Sequence, residues 1–151
     1  MNFEVRLIEL TPMRVATCHA FGPSPERAAW EKLAEWARKK NVLQEGARAF
    51  GFDNPPPSPG SPNYGYEVWL EVSPGVKGNE EIQIKEFPGG YYAVTRVVGV
   101  EQIFSTWQKL VAWCEDSPYR IGSHQCLEGH INLDLENLEK LTLDLYLPIA
   151  K

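Results

Sequence analysis

The chain has 151 residues, 43% hydrophobic and 23% charged, enough for one compact domain or two small halves sharing a core, and not the composition of a disordered chain. Its formal charge of −5 and pI near 5.2 argue against a nucleic-acid surface, which needs clustered Lys and Arg to displace counterions from phosphates. The longest basic run, Arg38 to Lys40, falls at a predicted helix end, where cations complement the dipole, so no direct nucleic-acid partner is expected.

Met1-Asn-Phe-Glu-Val-Arg6 is not an apolar signal, and no stretch of about eighteen apolar residues follows, so the expectation is a cytoplasmic protein with no membrane partner. Cys18, Cys114 and Cys126 are odd in number and lack CxxC spacing, as in a reduced intracellular chain. His19, His124 and His130 form no HxxxH or HExxH pattern, and neither a metal nor another cofactor is expected.

In chain order, Val5 to Ile8 and Arg14 to Ala20 read as strands, and Phe21-Gly-Pro-Ser-Pro25 as a break. Ser24 can cap a helix that starts on Pro25, whose missing N–H costs nothing there. Ala29, Trp30, Leu33, Trp36 and Ala37 then share one helical face, with Glu31, Glu35 and Lys39 on the other. Phe50 to Asp53 and Tyr66 to Val72 follow as strands, separated by the proline-rich stretch Asn54 to Asn63, a stiff surface connection or a lid.

The same order then returns. Ile82 to Phe87 and Tyr91 to Val98 are strands about a Pro88-Gly-Gly90 turn, and Ile103, Phe104, Trp107, Leu110, Val111 and Cys114 form a second helical stripe that Asp116-Ser-Pro118 stops. His124 to Ile131 and Leu141 to Ile149 complete the set. At an offset of 77, Trp30, Lys32, Leu33 and Trp36 meet Trp107, Lys109, Leu110 and Trp113, while Glu67, Trp69 and Leu70 meet Asp144, Tyr146 and Leu147.

The chain therefore reads as an α+β fold of two tandem pseudo-symmetric β-α-β-β repeats, about 1–77 and 78–151 of a single domain. Antiparallel sheets would carry two helices on one side and a ligand groove on the other. The helix tryptophans are expected in the core. Alternation sends Val68, Leu70 and Val72, and likewise Leu143, Leu145 and Leu147, towards the helices, which puts Glu67, Trp69 and Glu71, and Asp144 and Tyr146, on the other face.

With Leu127 and Ile131 as packing positions, Cys126, Glu128 and His130 point oppositely, and Glu128 is expected in the groove beside Trp69 and Tyr146. Aromatic faces attract positive charge and a partly desolvated carboxylate supplies the counter-charge, so these residues suit a flat or hydrophobic cation. Tyr66, Tyr92, His130 and Cys126 are further candidate lining residues. The bland alternative makes Glu128 a surface carboxylate on an edge strand, or one paired with Lys85 or Arg96.

Tyr91-Tyr-Ala-Val-Thr-Arg-Val-Val-Gly99, the helix Ile103 to Leu110, Cys126-Leu-Glu128 and the ending Leu143-Asp-Leu-Tyr-Leu-Pro-Ile149 resemble the GyrI-like small-molecule-binding domains, also called AraC-type effector-binding domains, of bacterial multidrug-responsive regulators. The resemblance covers nearly the whole chain and implies lipophilic, often cationic or aromatic ligands held by a central Glu that matches Glu128. A helix-turn-helix domain usually precedes the module in regulators; this chain has none and so resembles the stand-alone members. His130 stands where the family commonly has Tyr, and a charged imidazole there would repel a cation.

Stand-alone members imply two function classes. One is a drug-binding or effector-sensing module, acting with or without a protein partner. The other is a hydrolase that opens the cyclopropane of DNA-alkylating cyclopropanoid compounds, with Glu128 activating water, Trp69 and Tyr146 holding the substrate, and His130 shuttling the proton. The binding module is the preferred reading, and gyrase inhibition through protein contact ranks below both.

Overall fold

The computed structural model describes residues 3–42, 47–131 and 142–150. In chain order the elements are β1 (Arg6–Leu10), β2 (Met13–Gly22), α1 (Pro25–Lys40), β3 (Ala49–Asp53), β4 (Tyr64–Glu71), β5 (Gln83–Phe87), β6 (Gly90–Val98), α2 (Ile103–Glu115), β7 (Arg120–Ile121), β8 (Leu127–His130) and β9 (Thr142–Ala150). The fold is α+β with antiparallel pairing, as the alternation required. Of the strand expected over 141–149, Leu141 lies outside the described residues. The short β7 had no sequence signature.

The offset of 77 is visible in the elements: β1 opens at Arg6 and β5 at Gln83, β2 at Met13 and β6 at Gly90. The compact units nevertheless cut across the sequence repeats. One unit combines residues 1–11 with 89–151, and the other spans 12–88. Each repeat thus gives its first strand to the other repeat's sheet: β1 pairs β6, and β5 pairs β2. Repeat boundaries mark copied sequence, whereas unit boundaries follow the strand ladders that bury surface.

In the unit 12–88 the strands run in the order β3, β4, β2, β5. Helix α1 packs on β2 and β4 through Ala29, Trp30, Leu33, Trp36 and Ala37, all buried as the periodicity predicts. Pro25 occupies its first turn, and Ser24 stands at the cap position without a capping side-chain hydrogen bond; Glu26 in the first turn complements the dipole instead. Asn41, in the left-handed region at φ 53°, closes the helix with its N–H on Arg38.

In the other unit the order is β1, β6, β9, β8, with β7 on the far part of β9. Its core is Ala93, Val97, Leu110, Cys114, Leu143, Leu145, Leu147 and Ile149, with Ile103, Trp107, Val111 and Cys126 packed against it. The alternate leucines of β9 therefore face α2, as expected. The other face of this sheet carries Tyr92, Arg96, Asp144 and Tyr146. Asp144 is buried and held by Arg96 at 3.0 Å and Arg6 at 2.9 Å.

Candidate functional site

Strand register decides which face Glu128 occupies. Leu127 stands opposite Tyr146 and Glu128 opposite Leu145, and directly opposed residues point to the same side of an antiparallel pair. Glu128 consequently shares the α2-facing side with Leu145, and His130 shares it with Leu143. The expected grouping of Glu128 with Tyr146 is corrected: the two sit on opposite faces of one sheet. Alternation within 126–130 was sound, but Leu127 packs away from the helix rather than against it.

Beneath α2 the carboxylate is half-buried, and the Trp107 indole N–H points at it, with Nε1 3.5 Å from Oε2. Trp107 is therefore more than core filling, and its helical spacing gave no signal of the contact. Cys126 packs against the same α2-facing cluster. Burial pushes its thiol up, keeping it protonated and unsuited to nucleophilic attack. Lys85 and Arg96 do not form the ion pairs considered for Glu128, since their partners are Glu67 and Asp144.

Trp69 does not line an open cleft. Only 6% exposed, it packs edge-on to Phe52 with centroids 5.2 Å apart and against Phe87 at 5.3 Å. Its indole donates to Glu67 at 2.7 Å, where Lys85 at 2.8 Å and Asn54 at 3.2 Å also donate. Burial alone would raise the Glu67 carboxyl, but the hydrogen bonds from Lys85 and Trp69 and the Lys85 charge outweigh it and hold the group below its ordinary value. A large aromatic and an acid on the uncovered face are here a satisfied structural pair.

Tyr146 meets Tyr92 edge to face at 5.7 Å, and Tyr92 is fully buried with its hydroxyl donating to the Gln125 carbonyl. Tyr66 lies on the other side of β4 from Trp69. Val68, fully buried and opposite both Cys18 and Gly51, shares that side with Tyr66 two positions away. Among the predicted site residues, then, Glu128, His130 and Cys126 share one face, Tyr92 and Tyr146 share the other, and Trp69 and Tyr66 belong to the unit 12–88.

The repeat supplies a comparison for Glu128. Its counterpart 77 residues earlier is Gly51, and a Cβ there would overlap the Tyr66 hydroxyl and ring carbons. In the unit 12–88 the volume corresponding to the Glu128 side chain is thus taken by the Tyr66 ring, itself 3% exposed. Only one of the two copies carries an acid at this position. Among the described residues no three His, Cys, Asp or Glu side chains group to hold a metal ion, and no helix is long and apolar enough to cross a membrane.

The family model described as a GyrI-like small molecule binding domain matches residues 3–150. The chain belongs to the GyrI-like family. It is 28% identical over 145 residues to a DNA gyrase inhibitor of Escherichia coli K12, covering 91% of this chain and 90% of that one. The crystal structure of the EcmrR C-terminal domain superposes with a TM-score of 0.77 at 16% identity, over 100% of this chain and 99% of that one. A structure solved bound to tetraphenylphosphonium matches with a TM-score of 0.60 at 11% identity, over 99% and 94% of the two chains. These structural likenesses are likenesses of fold.

Burial pushes the His130 imidazole down to about 4, so at neutral pH it carries no charge. It therefore offers no repulsion to a cation near Glu128.

Proposed function

We propose that the protein binds lipophilic aromatic cations, with Glu128 as the counter-charge and Trp107 as an aromatic wall. The observation that carries this reading is the pairing of a half-buried carboxylate with an indole and an uncharged imidazole on the α2-facing side of β8. A ring stacked on the indole gains dispersion and, if charged, cation–π attraction of about 0.5–2 kcal/mol. The carboxylate, less hydrated than on an open surface, gains more from a cation than it would in bulk water. Tetraphenylphosphonium, found on a protein of the same fold, has the required chemistry.

Crystal violet or tetraphenylphosphonium is expected to raise the melting temperature of the protein, as any ligand of the native state does. Glu128→Gln keeps an acceptor for Trp107 but removes the charge, and should abolish most of that rise. An undiminished rise in the variant would remove Glu128 from the site.

The relatives named DNA gyrase inhibitor favour a second reading, in which the same domain acts on a protein partner. A gyrase supercoiling assay with the purified chain separates the two: inhibition that persists in Glu128→Gln belongs to a protein-contact surface rather than the ligand site. Hydrolysis would instead appear as multiple turnovers of a cyclopropane-bearing alkylator, abolished in the same variant.

A further inference from the structure

The unit formed by 1–11 and 89–151 has a pocket of about 630 Å³ away from Glu128, within the size range of small-molecule sites. It lies where α2 stops covering its sheet. Ala93 and Val97 of β6 are buried under the helix, but Tyr91, the next residue on that side, is 60% exposed. The chain leaves α2 at Glu115 and brings Tyr119 to the pocket, stacked on Trp113 at 6.4 Å and 17°. Leu7, 54% exposed, and Ile149 complete the apolar wall, and among the described residues Glu9 is the one charged residue that lines it.

The other repeat shows what this position normally contains. Glu86 and Arg14 are the counterparts of Glu9 and Tyr91, each pair 77 residues apart. Arg14 faces Glu86 across β2 and β5, binds its carboxylate at 2.7 Å and donates to the Val76 carbonyl at 2.8 Å. Glu9 faces Tyr91 in the same register across β1 and β6. The acid is kept while its guanidinium is replaced by a phenol ring and an open pocket. Among the described residues no cation forms an ion pair with Glu9.

We propose that this pocket is a second ligand site, separate from Glu128, for a planar aromatic ring bearing one ammonium group. The ring lies among Tyr91, Tyr119 and Leu7, and the ammonium takes beside Glu9 the place that Arg14 has beside Glu86. Tyrosine faces attract the cation as well as the ring, so charge and shape select the same ligand.

Calorimetric titration of the full-length Glu128→Gln chain, in which the other site lacks its counter-charge, with 1-naphthylmethylammonium tests this, with 1-naphthalenemethanol as the uncharged analogue. Tyr91→Arg rebuilds the Arg14–Glu86 pair in the pocket and should weaken the amine more than about tenfold without lowering the melting temperature, because residue 91 is mostly exposed. Adding Glu9→Gln should weaken it about threefold, as befits an exposed ion pair. No saturable binding of the amine to the Glu128→Gln chain, equal affinity for the alcohol, or unchanged affinity on adding Tyr91→Arg would each overturn the assignment.

Discussion

Gly51→Ala is expected to lower the unfolding free energy by roughly 1–3 kcal/mol, the usual cost of forcing extra atoms into a packed site. Gly51 lies in β3 with an extended backbone, so conformational freedom is not the issue; the Tyr66 ring occupies the space that a Cβ needs. A buried ring cannot swing into solvent without leaving a void. Tyr66→Ala alone should cost more, about 3–5 kcal/mol by analogy with other buried aromatic truncations. In that background the added methyl of Gly51→Ala should cost almost nothing, because the overlap is gone. Chemical denaturation of the two single variants and the double variant measures this coupling. Additive losses would mean that Tyr66 does not fill the Gly51 position, and the explanation for a single acid site per chain would fail.

Between pH 6.5 and 4 the protein should lose about 3 kcal/mol of stability through His130 alone. The folded imidazole is pushed down to about 4 by burial, whereas the unfolded one titrates near 6.5. As the pH falls through 6.5 the unfolded chain takes up a proton that the folded chain refuses, so stability is full above that point and declines until the folded group titrates. Glu67 and Glu71 have depressed folded values, so their contribution is present above about 4.5 and disappears below it. Asp53, raised by burial and by Glu26, acts in the opposite sense. The interval from pH 6.5 to 5 therefore belongs mainly to His130. Urea midpoints across that interval should flatten in His130→Gln; an equal slope in the variant would assign the loss to another group.

The repeat was legible because helix faces and strand alternation are local properties, and Trp30 to Trp36 and Trp107 to Trp113 keep both identity and spacing. Which strands pair is not local, and the exchange of β1 and β5 between repeats left no mark in a 77-residue offset that is blind to partners. The site was half legible for a related reason. Alternation correctly grouped Cys126, Glu128 and His130, but the face they share depends on the register of a four-residue strand against β9. Trp69 misled because an indole N–H and a buried acid satisfied each other two residues apart, which composition cannot distinguish from a waiting cleft. The pocket at Glu9 did have a signal: the offset that matched the tryptophans also matched Glu9 to Glu86 while exchanging Arg14 for Tyr91.

Glu128 remains the residue on which the functional reading turns. Titrating tetraphenylphosphonium calorimetrically into the Tyr91→Arg chain isolates its site from the pocket at Glu9, and the same titration into Tyr91→Arg/Glu128→Gln removes its charge. One ion bound per chain in the first, at an affinity about tenfold or more lower in the second, is the expected result. Equal affinity in the two chains would contradict a role for Glu128 in binding.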